Sequence, residues 1–341
     1  MEKFHKKNKT RQVGLMKKHF PTIFKILSTT LILYLLFANI NFSGEEFTHT
    51  LEQININWLL LSLPVVIVVL GIKSLRWQAI ISAEGYAYSH FKSFSAYLAS
   101  YSLGVVTPGR LGELLKVYNL RKDQPGIDVI MAFRTVVLDR LFDMFFLVWF
   151  GLAGVIFYFK PLGYFKAAPA LLISFMLAFA GLLVGNLILK FIREKYFKSN
   201  ATLQFLQSCT AKMLSFKNLK AWLATAIAYA IYFAGIKMLF LALNIPINFL
   251  ETGFIISLIG LILLLPISVA GFGTREAGLV FLLSFYTINP EIAISFSLLQ
   301  FLTFFVWGGI VGLIFWMVSP VPLGIIREDS KKIWEKIKGK R

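Results

Sequence analysis

Six stretches of this chain are each long and apolar enough to cross a lipid bilayer, and that confines the fold to a bundle of helices. A hydrocarbon core about 30 Å thick needs about 20 apolar residues wound as helix. Residues 22–40, 58–81, the apolar part of 128–159, 168–189, 221–243 and 292–318 meet that length. Backbone in lipid must satisfy its own hydrogen bonds, which leaves helix as the form for such runs. With 57% hydrophobic against 15% charged residues, the chain carries more apolar surface than a soluble domain can bury. The same imbalance excludes intrinsic disorder. One cysteine, Cys209, leaves no disulfide framework and no cysteine-based zinc site. The four histidines (His5, His19, His49, His90) are scattered outside the apolar runs, so no metal and no cofactor are expected.

The net charge of +18 lies mostly in three blocks: the amino tail, a middle loop around 190–220, and the carboxyl tail. A basic chain could bind nucleic acid, but these blocks flank apolar segments, where the positive-inside rule places them on the cytoplasmic side. They can also hold anionic lipid headgroups, at about 1 kcal/mol per residue near the surface. Residues 41–57 carry Glu45, Glu46 and Glu52 and no lysine or arginine, so that loop is expected outside. The first apolar run is too long for a cleaved signal and lacks a small-residue cleavage pattern. The expected arrangement is a basic cytoplasmic tail at 1–20, a transmembrane domain at 21–319 and a second basic cytoplasmic tail at 320–341. The protein is thus read as multi-pass in the plasma (inner) membrane, with both termini cytoplasmic.

Two further apolar stretches are too short to cross and end in helix breakers. Residues 94–106 run into Thr107, Pro108, Gly109, Arg110, Leu111, Gly112 and Glu113, followed by a short arm at 114–120. Residues 253–270 run into Gly271, Phe272, Gly273, Thr274, Arg275 and Glu276, followed by an arm at 277–286. Proline and paired glycines break helix. Arm, break and arm read as a re-entrant hairpin, tolerated at depth only where protein or a wet cavity surrounds it. The fold class is therefore an all-α polytopic membrane protein with about six crossing helices plus two re-entrant helical hairpins. Their order (crossing, crossing, hairpin, crossing, twice over) is that of an inverted repeat. Plain hydropathy gives the alternative of eight ordinary helices, the short ones tilted.

Charged residues at membrane depth cost at least about 2.5–3.5 kcal/mol each, and so mark function or tight pairing. They fall in three places. Arg110 and Glu113 lie in the first break, with Lys116 one turn further on; Arg275 and Glu276 lie in the second. Arg134, Asp139, Arg140 and Asp143 lie along the segment beginning at Asp128. At about 100° per residue, Asp139, Arg140 and Asp143 share an arc of about 100°, with Arg140 able to pair with Asp143 at i+3. Arg134 points elsewhere. Arg110 with Glu113, and Arg140 with Asp143, can equally be read as neutralising pairs that only hold helices together, and Arg134 and Lys73 as side chains snorkelling to the inner surface. Lys237 has no partner in the sequence.

The functional reading rests on the breaks. A broken helix aims the free N–H groups and positive dipole end of its second arm at the break. Gly109, Gly112, Gly271 and Gly273 admit a ligand close to the backbone, and Arg110 and Arg275 can fork onto a phosphate. Two such tips meeting near the midplane would make a site for an anionic lipid headgroup. The candidate substrate-binding residues are Arg110, Glu113, Lys116, Arg134, Asp139, Arg140, Arg275 and Glu276, with Pro108 and the four glycines forming the breaks.

These motifs resemble a known family. Thr107–Glu113 followed by Lys116, Arg134 with Leu138-Asp139-Arg140, and Leu265-Pro266 through Gly271-Phe272-Gly273 to Arg275-Glu276 are similar, in order, to the signatures of the flippase-like, lysylphosphatidylglycerol-synthase transmembrane family. The family includes the membrane half of enzymes that make and flip lysyl-phosphatidylglycerol, and stand-alone members associated with hopanoid, glycan or polyprenyl-lipid pathways. The resemblance implies a membrane domain that handles lipid. After residue 320 only a short basic stretch remains, so lysyl transfer is not expected. Lysine stands at position 116, where the family usually carries arginine.

Three functions compete on the sequence. The first is a translocase moving an anionic phospholipid or lipid-linked intermediate between leaflets. The second is a non-transporting subunit that binds a lipid carrier for a separate glycosyltransferase or lipid synthase. The third is an enzyme on lipid phosphate with Asp139 and Glu113 as acid and base; no nucleophile–base pair or nucleotide loop supports it. The expected partners are membrane lipids, with a lipid-modifying enzyme as a further partner under the second reading.

Overall fold

A computed structural model of the chain describes residues 27–38, 42–107, 112–159, 166–197, 200–264, 267–268, 271–318 and 335. Both basic tails, Glu335 apart, and Pro108, Gly109 and Arg110 lie outside the described residues. The described secondary structure is helical: α1 (Leu27–Ala38), α2 (Gly44–Glu52), α3 (Ile56–Ala83), α4 (His90–Val106), α5 (Leu115–Asp123), α6 (Val129–Phe159), α7 (Ala167–Tyr196), α8 (Ala201–Met213), α9 (Leu219–Ala242), α10 (Phe249–Leu264), α11 (Thr274–Ser284), α12 (Pro290–Gln300) and α13 (Gly308–Val318). Five stretches have the length and apolarity to span a membrane: α3, α6, α7, α9 with the turn before it, and α12 through α13. The chain is an all-helical, polytopic membrane protein.

The helix boundaries follow local chemistry. Asn55 caps α3 by accepting the Asn57 amide, and the helix ends at Glu84 ahead of Gly85, whose φ of +93° no other residue adopts cheaply. Asp128 caps α6 through the Ile130 amide at 2.9 Å. Between α12 and α13 the chain winds as π-helix over Phe301–Trp307. There Tyr101 of α4 donates to the Phe304 carbonyl at 2.6 Å.

Three details depart from the sequence reading. The loop after the first span contains α2, capped at Ser43 by the Glu46 amide. The basic middle loop contains α8, whose Cys209 and Met213 are buried against aromatic residues of α6. The second hairpin arm begins at Thr274, so Arg275 and Glu276 belong to its first turn rather than to the break. Short polar helices carry little hydropathy signal, which is why the first two were missed.

Two compact units form. One comprises Met1–Gln53 with Ile259–Ser297, the other Ile54–Leu258 with Leu298–Arg341. They cut across the two sequence halves, because the amino-terminal helices pack on the second hairpin. The Ser43 amide donates to Glu291 Oε1 at 2.9 Å, and Asn289 donates to Glu46 at 2.7 Å. In the larger unit, glycines set the helix spacing. A methyl added at Gly312 of α13 would lie 2.3 Å from the Leu98 carbonyl oxygen of α4, and one at Gly235 of α9 would lie 2.6 Å from Val65 of α3. Small residues at such crossings let helices associate in lipid, where no hydrophobic force drives them together. Phe142, Phe145, Phe146, Trp149, Trp222 and Phe233 fill the space between α6 and α9.

Candidate functional site

The larger unit holds a network of charges inside the helix bundle. Its centre is Arg76 of α3, fully buried, with Nε and a terminal nitrogen each 2.7 Å from Asp139 Oδ1 of α6. Its other terminal nitrogen reaches Asp143 Oδ1, one turn further along α6, also at 2.7 Å. Lys73, one turn before Arg76, adds a 2.9 Å bond to the same Asp143 oxygen. Asp139 Oδ2 accepts from Lys116 Nζ of α5 at 2.8 Å and from the Tyr97 hydroxyl of α4 at 3.0 Å. The Lys116 ammonium also stands 4.3 Å from the centre of the Tyr97 ring, so cation–π attraction adds to the ion pair.

The first hairpin delivers Lys116 and Glu113 to this network. Thr107 closes α4 by donating to the Leu103 carbonyl at 2.7 Å and accepts the Gly112 amide at 2.8 Å, bridging the break. Gly112 lies against the α4 backbone so closely that a Cβ there would come within 2.3 Å of the Leu103 carbonyl carbon. The glycine is required by the fold, whatever ligand it also admits. The Glu113 side chain lies over Gly104 and pairs with Arg140 of α6, with Lys116 at 3.9 Å. Arg140 also contacts Asp143 Oδ2 at 3.4 Å, the i,i+3 pairing that the spacing suggested.

Charge and exposure vary across the network. Lys73, Arg76, Lys116 and Arg140 face Glu113, Asp139 and Asp143, leaving one net positive charge among the described residues. Residues 108–111 of the break contain no carboxylate to offset it. The Arg76, Lys116 and Asp139 side chains are sealed at 0–1% exposure, while that of Arg140 is 30% exposed. Arg140 Nε is buried and makes no hydrogen bond among the described residues.

The second break forms a smaller group in the other unit. The Glu276 carboxylate accepts from Arg275 at 2.7 Å, from the Ser297 hydroxyl of α12 at 2.6 Å and from the Gly273 amide at 2.7 Å. Arg275 also donates to Ser297 at 2.7 Å. Gly271 and Gly273, with φ of +83° and +82°, make the turn into α11. The Gly273 amide, expected to face a ligand, is held by the chain's own glutamate.

Of the candidate residues, the structure thus joins Glu113, Lys116, Asp139 and Arg140, and separately Arg275 with Glu276. Arg134 is set apart: it pairs with Glu84 at 2.6 Å, and Lys212 of α8 pairs with the same carboxylate. Arg76, the hub, was not among the candidates; it lies near the end of the apolar run at 58–81. Its position one turn after Lys73 was the available signal. Lys73 pairs with Asp143, and Lys237 finds the Ile247 carbonyl.

Comparison with known proteins agrees with this architecture. Over 342 aligned residues the chain is 29% identical to a UPF0104 membrane protein of Methanocaldococcus jannaschii, covering 90% of this chain and 98% of that one. A family model described as the lysylphosphatidylglycerol synthase TM region matches residues 22–312, a range that takes in the charged network, both breaks, four of the five long spans and most of the fifth. On that extent of match the chain belongs to the lysylphosphatidylglycerol synthase transmembrane-region family.

Proposed function

We propose that this protein is a lipid translocase that moves an anionic phospholipid or lipid-linked intermediate between leaflets. The observation that supports the reading is the surplus cation of the buried network. Helices can be held together by matched ion pairs, and burying an unmatched charge only adds cost. A surplus positive charge beside a partly open arginine suits a site whose anion arrives from outside. A lipid phosphate meets that need, since its tails can stay in the bilayer while the headgroup enters. Arg110 of the first break and, in the other unit, Arg275 are proposed as further anion-binding residues. Both termini are proposed to face the cytoplasm of a cell with this protein in its plasma membrane, as the basic blocks suggest.

Reconstitution into liposomes tests the reading. Tail-labelled phosphatidylglycerol placed in one leaflet should move faster with the protein than without it. Arg140→Gln, Arg110→Ala and Arg275→Ala should each slow that movement. Unaltered movement in Arg140→Gln contradicts the proposal. Saturable binding without movement favours instead a subunit that presents lipid to a separate enzyme.

A further inference from the structure

We infer that Glu113 is a resident counter-ion that the incoming anion displaces from Arg140, so that ligand binding in the larger unit is a competition against the protein's own carboxylate. The inference rests on the translocase reading only in taking the anion to be a lipid phosphate.

The network divides into two parts of different character. Arg76 is held by both aspartates of α6 within a sealed interior, and Lys116 is fixed between Asp139 and the Tyr97 ring. Moving either would strand a buried carboxylate. Arg140 differs in three ways. Its side chain is the most exposed of the four cations, Lys73 following at 19%. Its Nε makes no hydrogen bond among the described residues, and its bond to Asp143 is long at 3.4 Å. Its strong partner is Glu113, carried on the hairpin break and not on a spanning helix. A guanidinium forks onto phosphate and carboxylate with the same geometry, so a phosphate oxygen can take the place that Glu113 holds.

The groups facing Glu113 limit where it can go. Lys116 lies 3.9 Å away on α5, while Asp139 and Asp143 on α6 and the α3 pair Lys73 and Arg76 complete the network, with Tyr97 on α4. A carboxylate that leaves Arg140 can therefore swing toward Lys116 and stay compensated. The anion then neutralises the surplus charge, and its departure lets Glu113 return. Such a resident anion keeps Arg140 from remaining bare in an apolar setting between ligands, and it weakens binding enough to permit release.

The test is equilibrium binding to the purified full-length protein in phosphatidylcholine nanodiscs. Tail-labelled phosphatidylglycerol is one probe and inorganic phosphate the other. Glu113→Gln removes the competing charge, and Glu113→Asp keeps the charge but withdraws it by one methylene. Phosphatidylglycerol affinity is expected to rise from wild type through Glu113→Asp to Glu113→Gln, by roughly tenfold in all, and to fall roughly tenfold in Arg140→Gln, magnitudes usual for close charge pairs. Glu84→Gln, which frees Arg134 in a different ion pair, should leave affinity unchanged. If Glu113 only props the hairpin, both of its variants bind more weakly than wild type, and the inference is overturned while the translocase reading stands. Tightening of inorganic phosphate alone, with no binding of the lipid, keeps the competition and overturns the lipid reading. No binding of either probe by the wild type overturns both.

Discussion

Arg76 and Asp139, on α3 and α6, meet 2.7 Å apart with both side chains fully sealed from solvent. Each is the other's principal compensation, and Asp139 compensates Lys116 as well. Removing one member of a buried pair strands the other, at about 3–5 kcal/mol. Asp139→Asn and Arg76→Gln should therefore each lower the thermal midpoint of the purified protein markedly. In a double-variant cycle the two losses should fall well short of adding, since the second change removes a charge the first has already stranded. Additive losses would show that the pair is not coupled.

That pair also marks how far the sequence could be read. Hydropathy located five of the six stretches read as spans, the first being described only as the shorter α1. The glycine–proline breaks located both helix interruptions, and helical spacing put Asp139, Arg140 and Asp143 on one arc. Spacing within one helix does not say which neighbour faces it, so Arg76 stayed unrecognised on α3. Lys116 and Glu113 were legible as charges near a break, but their meeting with Asp139 and Arg140, respectively, depends on the hairpin folding back. The π-helical turn at Phe301–Trp307 and the two short polar helices left little trace. Ser43 and Glu46, spaced as a capping pair, were the clue to α2.

Gly112 and Gly312 give a steric prediction. A Cβ at either would lie 2.3 Å from backbone of α4, which cannot yield as a side chain can. Gly112→Ala and Gly312→Ala should each cost about 1–3 kcal/mol through forced backbone shifts, read as reduced monodisperse yield and a lower melting temperature. Gly181→Ala on α7, where nothing lies within 4 Å, should be neutral. Equal effects at all three positions would rule out packing as the cause.

Cys209 makes the mobility of α8 measurable. It is fully buried, and burial pushes its thiol pKa up to about 12. The folded thiol should resist maleimide at pH 7.5, and labelling should appear only as the structure opens, since an unfolded thiol ionises near 8.5. The sign for stability follows: the folded state favours the neutral thiol, so its contribution is complete below about pH 8.5 and fades as pH rises toward 12. Cys209→Ala should flatten the fall in melting temperature over that alkaline window. Rapid labelling of the native protein would contradict the burial.

The most direct measurement of the central claim is leaflet-resolved transport of phosphatidylglycerol in proteoliposomes, comparing wild type with Arg140→Gln and with phosphatidylcholine as the lipid lacking net charge. The account predicts protein-dependent movement of the anionic lipid, a loss of roughly tenfold or more in Arg140→Gln, and much slower movement of phosphatidylcholine. Equal movement of both lipids, or full transport by Arg140→Gln, would contradict it.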